Sequence, residues 1–123
     1  MKMTNLEVVT YLNKLSSNFF NDDMKNKYLP VKLNFAIQKN LATLGQHNIG
    51  IDESRKTIGE HYGTLDGNHY VIDPDKIDEA NQELQDLYNI EIELPILTVS
   101  LSSIEDLDLT MTQMDALMFM IEE

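Results

Sequence analysis

The spacing of apolar residues near the start of the chain predicts an amphipathic helix over 4–20. Thr4 and Glu7 have the three-residue spacing of a capping box, in which the two side chains satisfy free backbone N–H groups of the first turn. The apolar residues that follow are four, three and four positions apart, as on one helical face. They are Val8, Leu12, Leu15 and Phe19. A connector over 21–30, with the turn-rich segment Asn21-Asp22-Asp23, follows this helix.

A second and much longer helix is predicted after Pro30, a residue that suits a first helical turn. Its apolar positions are Leu33, Ile37, Leu41, Leu44, Ile51, Ile58 and Tyr62. A seven-residue step runs through this series and keeps its phase across Gly45 and Gly50, which a loop has no reason to preserve. Because two helix-interior glycines cost only about 1 kcal/mol each, we expect one helix over 32–62, about 45 Å long. The alternatives are a break or a bend at Gln46–Gly50.

The middle of the chain predicts a tight turn, a small hairpin or a single strand, and a third helix. Gly63 ends the long helix as a glycine just beyond its last turn, and Asp66-Gly67 is a tight-turn signal before a β-prone run over 69–72. Asp73-Pro74-Asp75 has the pattern of a helix start, so we expect a helix over 74–88. Its apolar face consists of Ile77, Ala80, Leu84 and Leu87.

The last third of the chain predicts strand, bend, strand and helix. Apolar and polar residues alternate over 90–94 and again, with opposite parity, over 97–101, so a bulge or bend is expected at Pro95-Ile96. Thr110 and Gln113 form a second capping box ahead of a helix over 111–123. The apolar face of that helix consists of Met114, Leu117, Met118 and Ile121.

These elements predict an α+β fold in a single domain over 1–123. The fold is mostly helical, with one long central helix, three shorter helices and a small two- or three-stranded sheet built from 69–72 and 90–101. A short strand must bury its apolar side, and the long helix offers the largest apolar stripe. We therefore expect the apolar residues of the alternating strand to pack against that helix: Ile90, Ile92 and Leu94.

Composition narrows the class of protein. The chain has 123 residues, 42% of them hydrophobic, and neither cysteine nor tryptophan. This excludes a large multidomain enzyme, a disulfide framework and a membrane-spanning protein, and the start of the chain lacks the apolar run of a secretory signal. We therefore expect a protein of the cytoplasm with no membrane contact.

Charge is distributed very unevenly along the chain. Residues 1–62 hold 8 Lys and Arg against 6 Asp and Glu, whereas residues 63–123 hold a single Lys against 15 Asp and Glu. The formal net charge is −12. Such acidity disfavours direct binding of nucleic acid and favours a partner with a basic surface, although a merely solvated acidic exterior explains the same composition.

No residue pattern marks an active site, a metal site or a cofactor site. The histidines lack cysteine partners and the spacing of a helical zinc site. A calcium loop starting at Asp73 would place Asp78 where that loop needs glycine, so helix capping explains these acids better. Glu60, His61 and His69 are the candidates for acid–base chemistry, but Glu60 and His61 are adjacent and point to different sides of a helix. We expect a protein that is not an enzyme.

The third helix carries the densest acidic cluster, and we predict that it forms the partner-binding face. Its five carboxylates belong to Asp75, Asp78, Glu79, Glu83 and Asp86. They occupy a helix of about 15 residues, or about 22 Å, which is one charge per roughly 4 Å against about 3.4 Å per phosphate along a DNA strand. Four further acids are expected nearby: Glu91, Glu93, Asp106 and Asp108.

The methionines of the last helix offer a second kind of surface. Some of them must complete the core, but methionine also adapts well to partner surfaces. Met114, Met118 and Phe119 are therefore the candidates for a face through which copies of the chain associate.

The order of these features resembles a family of small uncharacterised proteins encoded by tailed bacteriophages and prophages of Gram-positive hosts. The similarity lies in Leu12-Asn13-Lys14-Leu15, in the long-helix start Lys32-Leu33-Asn34-Phe35-Ala36-Ile37-Gln38-Lys39-Asn40-Leu41, in Tyr62-Gly63, in Asp66-Gly67-Asn68, in the acidic helix ending at Leu87, in Ile90-Glu91-Ile92, in Ile104-Glu105-Asp106-Leu107 and in Ile121-Glu122-Glu123. The resemblance implies a viral protein with a non-enzymatic accessory role.

Two functions follow as expectations. The first is an acidic, nucleic-acid-mimicking inhibitor that binds a host defence or nucleic-acid-handling protein in the host cytoplasm. The alternative is a structural or accessory component of the phage tail or particle, found in the virion and assembled through apolar faces.

Overall fold

The computed structural model describes residues 1–20 and 28–122 and shows the α+β, mostly helical fold that the pattern predicts. The helices are α1 (Asn5–Phe19), α2 (Val31–Tyr62), α3 (Ile77–Tyr88) and α4 (Met111–Leu117). The strands are β1 (Lys2–Thr4), β2 (Gly63–Asp66), β3 (His69–Ile72), β4 (Glu91–Glu93), β5 (Val99–Ser100) and β6 (Ile121–Glu122). Single 3-10 turns occupy Pro74–Lys76, Leu101–Ser103 and Met118–Met120.

The long central helix is continuous, as predicted. It runs without a break from Val31 to Tyr62, and a side chain added at Gly45 or Gly50 would meet no other atom. Its buried stripe includes Leu33, Ala36, Ile37, Asn40, Leu44, Ile51 and Ile58. Helix α1 packs along α2, and its capping box between Thr4 and Glu7 is confirmed. The predicted turn at Asn21-Asp22-Asp23 lies outside the described residues.

The strands form three separate two-stranded pairs, so the expectation of one sheet from 69–72 and 90–101 is wrong. Strand β2 pairs with β3 as an antiparallel hairpin, β1 pairs antiparallel with β4, and β5 pairs in parallel with β6. Only β2 and β3 are consecutive in sequence, whereas helices lie between β1 and β4 and between β5 and β6. Ile92 and Leu94 pack against the core as expected, whereas Ile90 lies just outside β4 and is about half exposed.

Two predicted features at the end of α2 differ in detail. Gly63 has an extended backbone and is the first residue of β2, so it does not end the helix in the left-handed conformation. Glycine is required there because an added Cβ would lie 2.6 Å from the Val71 carbonyl oxygen. The predicted tight turn is confirmed at Gly67, whose φ is +66°. The Asp73 side chain makes no capping bond to the 3-10 turn and accepts a hydrogen bond from the Thr64 hydroxyl at 3.3 Å instead.

A buried asparagine explains the change of parity between the two alternating segments. Asn40 is 0% exposed, and its side-chain amide donates to the Leu97 carbonyl oxygen and accepts from the Leu97 N–H, both at 2.9 Å. Ile96 packs towards the core before this clamp and Val99 is buried after it, while Leu97 is partly exposed. The shift therefore lies at 97–98, two residues later than predicted.

The last helix is shorter than predicted. Its capping box between Thr110 and Gln113 is confirmed, but α4 ends at Leu117. The chain then tightens into a 3-10 turn that buries Met120 completely and continues as β6 beside β5. Pairing with β5 satisfies backbone groups that a further helical turn would leave free at its end. Residue 123 lies outside the described residues.

Candidate partner-binding surface

Helix α3 and the 3-10 turn before it expose five carboxylates, as predicted, but Ile77, which was predicted to lie on the buried apolar face, is 44% exposed. Ala80 is buried, and Leu84 and Leu87 are partly buried. The carboxylate residues are all exposed: Asp75 in the 3-10 turn, and Asp78, Glu79, Glu83 and Asp86 on the helix. In the rest of this article they are called the α3 acidic face.

The carboxylates of the α3 acidic face are not neutralised by nearby cations. Within residues 1–20 and 28–122 no ion pair involves any of the five, and Lys76, the nearest lysine in sequence, pairs with Asp73 at 3.8 Å. Asp86 accepts a hydrogen bond from the Gln82 side chain at 3.0 Å. Carboxylates this close repel one another, so a cation placed between them gains more than it would at an isolated acid.

Tyr62 joins this surface although the sequence pattern gave it another role. It closes the apolar series of α2, but its hydroxyl interacts with the carboxyl groups of Glu83 and Glu79 on α3. Burial, together with the charges and the hydrogen bond of Glu83 and the charge of Glu79, raises the pKa of the Tyr62 hydroxyl. The His61 ring meets the Tyr62 ring edge-on, with centroids 4.5 Å apart. The sequence signal for this contact is a tyrosine that ends an apolar helical series and is followed by an acidic helix.

Asn5 holds the end of α3 in place. Its backbone N–H donates to the Ile90 carbonyl oxygen at 3.0 Å, and its amide nitrogen donates to the Leu87 carbonyl oxygen at 2.9 Å. Its amide oxygen lies 2.8 Å from Nε2 of His47 on α2, so that nitrogen carries the donated proton. These bonds join α1, α2 and the end of α3 beside a groove of about 360 Å³. These bonds therefore hold the end of α3, which carries the α3 acidic face, against α1 and α2.

Glu91 and Glu93 lie on β4, which begins three residues after α3 ends. Both side chains are exposed. Glu91 forms an ion pair with Lys2 of the neighbouring strand at 3.3 Å, so its charge is partly balanced within the protein. Glu93 pairs with the amino group of Met1 at 2.9 Å, and the membership of both acids in the partner-binding face stays a prediction.

Asp106 and Asp108 lie in the loop between the second 3-10 turn and α4, and both are exposed. This loop is anchored by Ile104, which is buried in the core. It follows the segment 97–103, which lies beside the first turns of α2, whereas α3 starts beside the last turn. The membership of Asp106 and Asp108 in the partner-binding face stays a prediction.

The candidates for acid–base chemistry all lie on the surface. Glu60, His61 and His69 are exposed, and Glu60 accepts a hydrogen bond from the Tyr70 hydroxyl at 3.3 Å. None of the three lines the groove of about 360 Å³ beside Asn5 or the groove of about 550 Å³ beside the first turns of α2. Residues 1–20 and 28–122 contain no group of three or more His, Asp or Glu side chains arranged to hold a metal ion.

The predicted association face of the last helix is only partly on the surface. Phe119 stacks on Tyr11 with ring centroids 4.3 Å apart, and Met114 packs against the core. Met118 is 57% exposed, and Met111 at the start of α4 is more exposed still. The apolar area offered to a partner here is therefore smaller than the sequence spacing implies.

The fold and this surface define a mostly helical α+β protein with one uncompensated acidic helix face. The chain matches no protein-family model, no curated protein and no solved structure. No helix among the described residues combines the length and the apolar character needed to cross a membrane.

Proposed function

We propose that this protein acts by binding another protein, and that the α3 acidic face is the surface that meets a basic partner. The observation that carries the proposal is the set of five exposed carboxylates on α3 and the 3-10 turn before it, none of them ion-paired within the described residues. A solubilising surface normally mixes lysines among its acids. On α3 itself, from Ile77 to Tyr88, there is none.

The spacing of the carboxylates supports a partner that handles nucleic acid. At about 1.5 Å rise per residue, the five carboxylates give one charge per roughly 4 Å, close to the density of about one phosphate per 3.4 Å along a DNA strand. A basic groove built for phosphates would therefore accept α3 in their place. Together with the resemblance to proteins of tailed phages, this leads us to propose an inhibitor of a host defence or nucleic-acid-handling protein, acting in the host cytoplasm without catalysis or cofactor.

The test is affinity capture from host lysate with three immobilised forms of the protein. The first is the wild type, and the second carries Asn or Gln at all five positions of the α3 acidic face. The third is a control with the same change of net charge at other exposed acids: Asp52, Glu53, Glu105, Asp115 and Glu122. We expect wild type and control to retain the same basic protein, added duplex DNA to displace it, and the α3 variant to lose it.

Equal loss from both variants would show that net charge alone attracts the captured protein, and retention by the α3 variant would place the interface elsewhere. Either result contradicts the proposal.

A particle component is the second candidate function, and the exposed methionines favour it. Met111 and Met118 leave flexible apolar side chains in solvent at the two ends of α4 and its 3-10 turn. Such side chains suit assembly contacts that tolerate different neighbours. Finding the protein in purified virions by mass spectrometry, at a fixed ratio to tail proteins, would favour this function over the inhibitor.

A further inference from the structure

The side of α2 that faces away from the core carries no charge over its first five turns. A helix side in solvent normally consists of charged and polar residues. Here three large apolar side chains stand in it, with Val31 75%, Phe35 63% and Ile49 52% exposed. At about 100° per residue, six residues fall within an arc of about 80° opposite the buried stripe. We call them the α2 outer face: Val31, Phe35, Gln38, Ala42, Gly45 and Ile49.

Gly45, in the middle of this face, is not required by the packing of the chain itself. It lies in a helix interior, where glycine is less stable than alanine. A Cβ added there would meet no atom of the described residues within 4 Å. Glycine in a helix does allow the backbone of another element to approach closely. Together with Ala42 it leaves a low stretch on the helix surface between Phe35 and Ile49.

The spacing of the α2 outer face is the same from either end. Its residues are four, three, four, three and four positions apart, symmetrically about position 40. When two such helices pack antiparallel about that position, Phe35 of one copy faces Gly45 of the other. Val31 then faces Ile49, and Gln38 faces Ala42. The aromatic ring thus meets the residue without a side chain, so the face is complementary to itself, as a two-fold interface requires.

Charges beside the face agree with the antiparallel arrangement. Lys32 and Glu53 lie three heptads apart on one flank of α2, and both are exposed. Neither forms an ion pair in the described part of the chain. Glu122 is hydrogen-bonded to Thr98, which lines the groove beside Lys32. In an antiparallel pair, equivalent flanks meet, so Lys32 of each copy lies near Glu53 of the other, whereas a parallel pair would place Lys32 beside Lys32.

We propose that the α2 outer face is a dimer interface through which two copies of this chain pack antiparallel. Phe35 of each copy covers Gly45 of the other, and Val31 packs against Ile49. The contact is about 27 Å long and one helix wide, so it is small for a protein interface and should form a weak dimer at micromolar concentrations. It uses neither the α3 acidic face nor the methionines of α4, and therefore stands or fails independently of the function proposed above.

The first test uses the absence of cysteine from the chain. Val31→Cys and Ile49→Cys are purified separately, mixed in equal amounts and oxidised mildly, and the disulfide-linked peptides are identified by mass spectrometry. We expect mainly links between position 31 and position 49. Leu65→Cys, at an exposed apolar residue of the hairpin, is the control and should cross-link poorly with either variant.

A parallel pair would link position 31 to 31 and position 49 to 49, and random collisions would give as many like links as unlike ones. Either result would overturn the proposal.

The second test is sedimentation velocity of the full chain up to near-millimolar concentration. We expect the wild type to dimerise reversibly and Phe35→Glu to stay monomeric. Leu65→Glu makes the same charge change at a similarly exposed residue and should dimerise like the wild type. Lys32→Glu and Glu53→Lys should each weaken the dimer by roughly 3- to 10-fold, and the variant with both substitutions should regain it.

Far-UV circular dichroism of each variant confirms that its fold is retained. A wild type that stays monomeric throughout, a Phe35→Glu variant that still dimerises, or a doubly substituted variant that is weaker than both single ones would each overturn the proposal.

Discussion

The two ends of α2 carry opposite surfaces on one continuous helix. The first end has no acidic residue over 31–51, buries the amide of Asn40 against Leu97 and leaves an apolar groove. The second end supports the hairpin β2–β3 and the acidic helix α3. The comparison shows that a helix of 32 residues keeps the apolar groove and the α3 acidic face at its two ends.

At the first end of α2, the substitution that should destabilise the fold most is one that removes the buried amide. Asn40→Ala removes both hydrogen bonds to the Leu97 backbone and leaves a cavity at a position that is fully buried. We expect the free energy of unfolding to fall by about 2 to 4 kcal/mol, as measured by urea denaturation. Asn34→Ala, at an exposed position on the same helix, is the control and should change it by less than about 0.5 kcal/mol. Similar free energies of unfolding for the two variants would mean that the hydrogen bonds between Asn40 and Leu97 do not stabilise the fold.

At the second end of α2, the fold should be most sensitive to substitution at Gly63, where the helix passes into the hairpin. A Cβ there would collide with the Val71 carbonyl oxygen, so Gly63→Ala should destabilise the fold by about 1 to 3 kcal/mol. Gly45→Ala is the matched control, because a Cβ there meets no atom and helix propensity improves by about 0.5 to 1 kcal/mol. Thermal melting should therefore show shifts of opposite sign. Two shifts of the same sign would contradict this account of the junction.

The capping box of α1 lies next to Asn5, which holds the end of α3. Its loss should have a smaller, pH-dependent effect on stability. The backbone N–H of Thr4 and the hydroxyl of Tyr11 both donate to Glu7 and lower the pKa of its carboxyl group. Because this pKa is lower in the folded state, its stabilisation is present at neutral pH and is lost as the pH falls below the ordinary value of about 4.3.

Glu7→Gln should therefore destabilise the protein at pH 7 by about 0.5 to 1 kcal/mol. Wild type and variant should converge in stability as the solution is acidified. Urea denaturation at a series of pH values measures this difference, and a gap that stays constant into acid would show that the charge of Glu7 is not involved.

The smallest expected effect on stability comes from the α3 acidic face. Its side chains are exposed and lie outside the ion pairs of the described residues, so replacing all five by Asn or Gln should alter the free energy of unfolding by less than about 1 kcal/mol. Relief of like-charge repulsion makes a slight stabilisation the expected sign. A large fall in the free energy of unfolding, measured by urea denaturation, would mean that these acids stabilise the fold and are not there to bind a partner.

Helix positions were predictable from the sequence because each helix carries a local signal. The seven-residue step across Gly45 and Gly50 predicted the continuity of α2, and both capping boxes are present in the structure. The exposure of the α3 carboxylates followed from the same periodicity, since burying Ala80 and Leu84 turns the acids outward.

Strand pairing and side-chain contacts between distant residues were not predictable in this way. Alternation shows that a segment is a strand but carries no information about its neighbour, so the pairing of β1 with β4 and of β5 with β6 was missed. Asn40 looks like any polar helical residue until Leu97 is placed against it. Tyr62 likewise gains its contact with Glu83 only when α3 folds back beside α2.

The central claim is that the α3 acidic face, and not net charge, binds a basic protein. Its most direct test is the dissociation constant of the captured and purified partner for the wild type and the two five-fold variants of equal net charge. Five exposed charges at about 0.5 kcal/mol each predict a loss of about 2 to 3 kcal/mol, or roughly 30- to 150-fold, for the α3 variant. The control variant should stay within about threefold of the wild type, whose affinity should fall steeply with added salt. Equal dissociation constants for the two variants would contradict the claim.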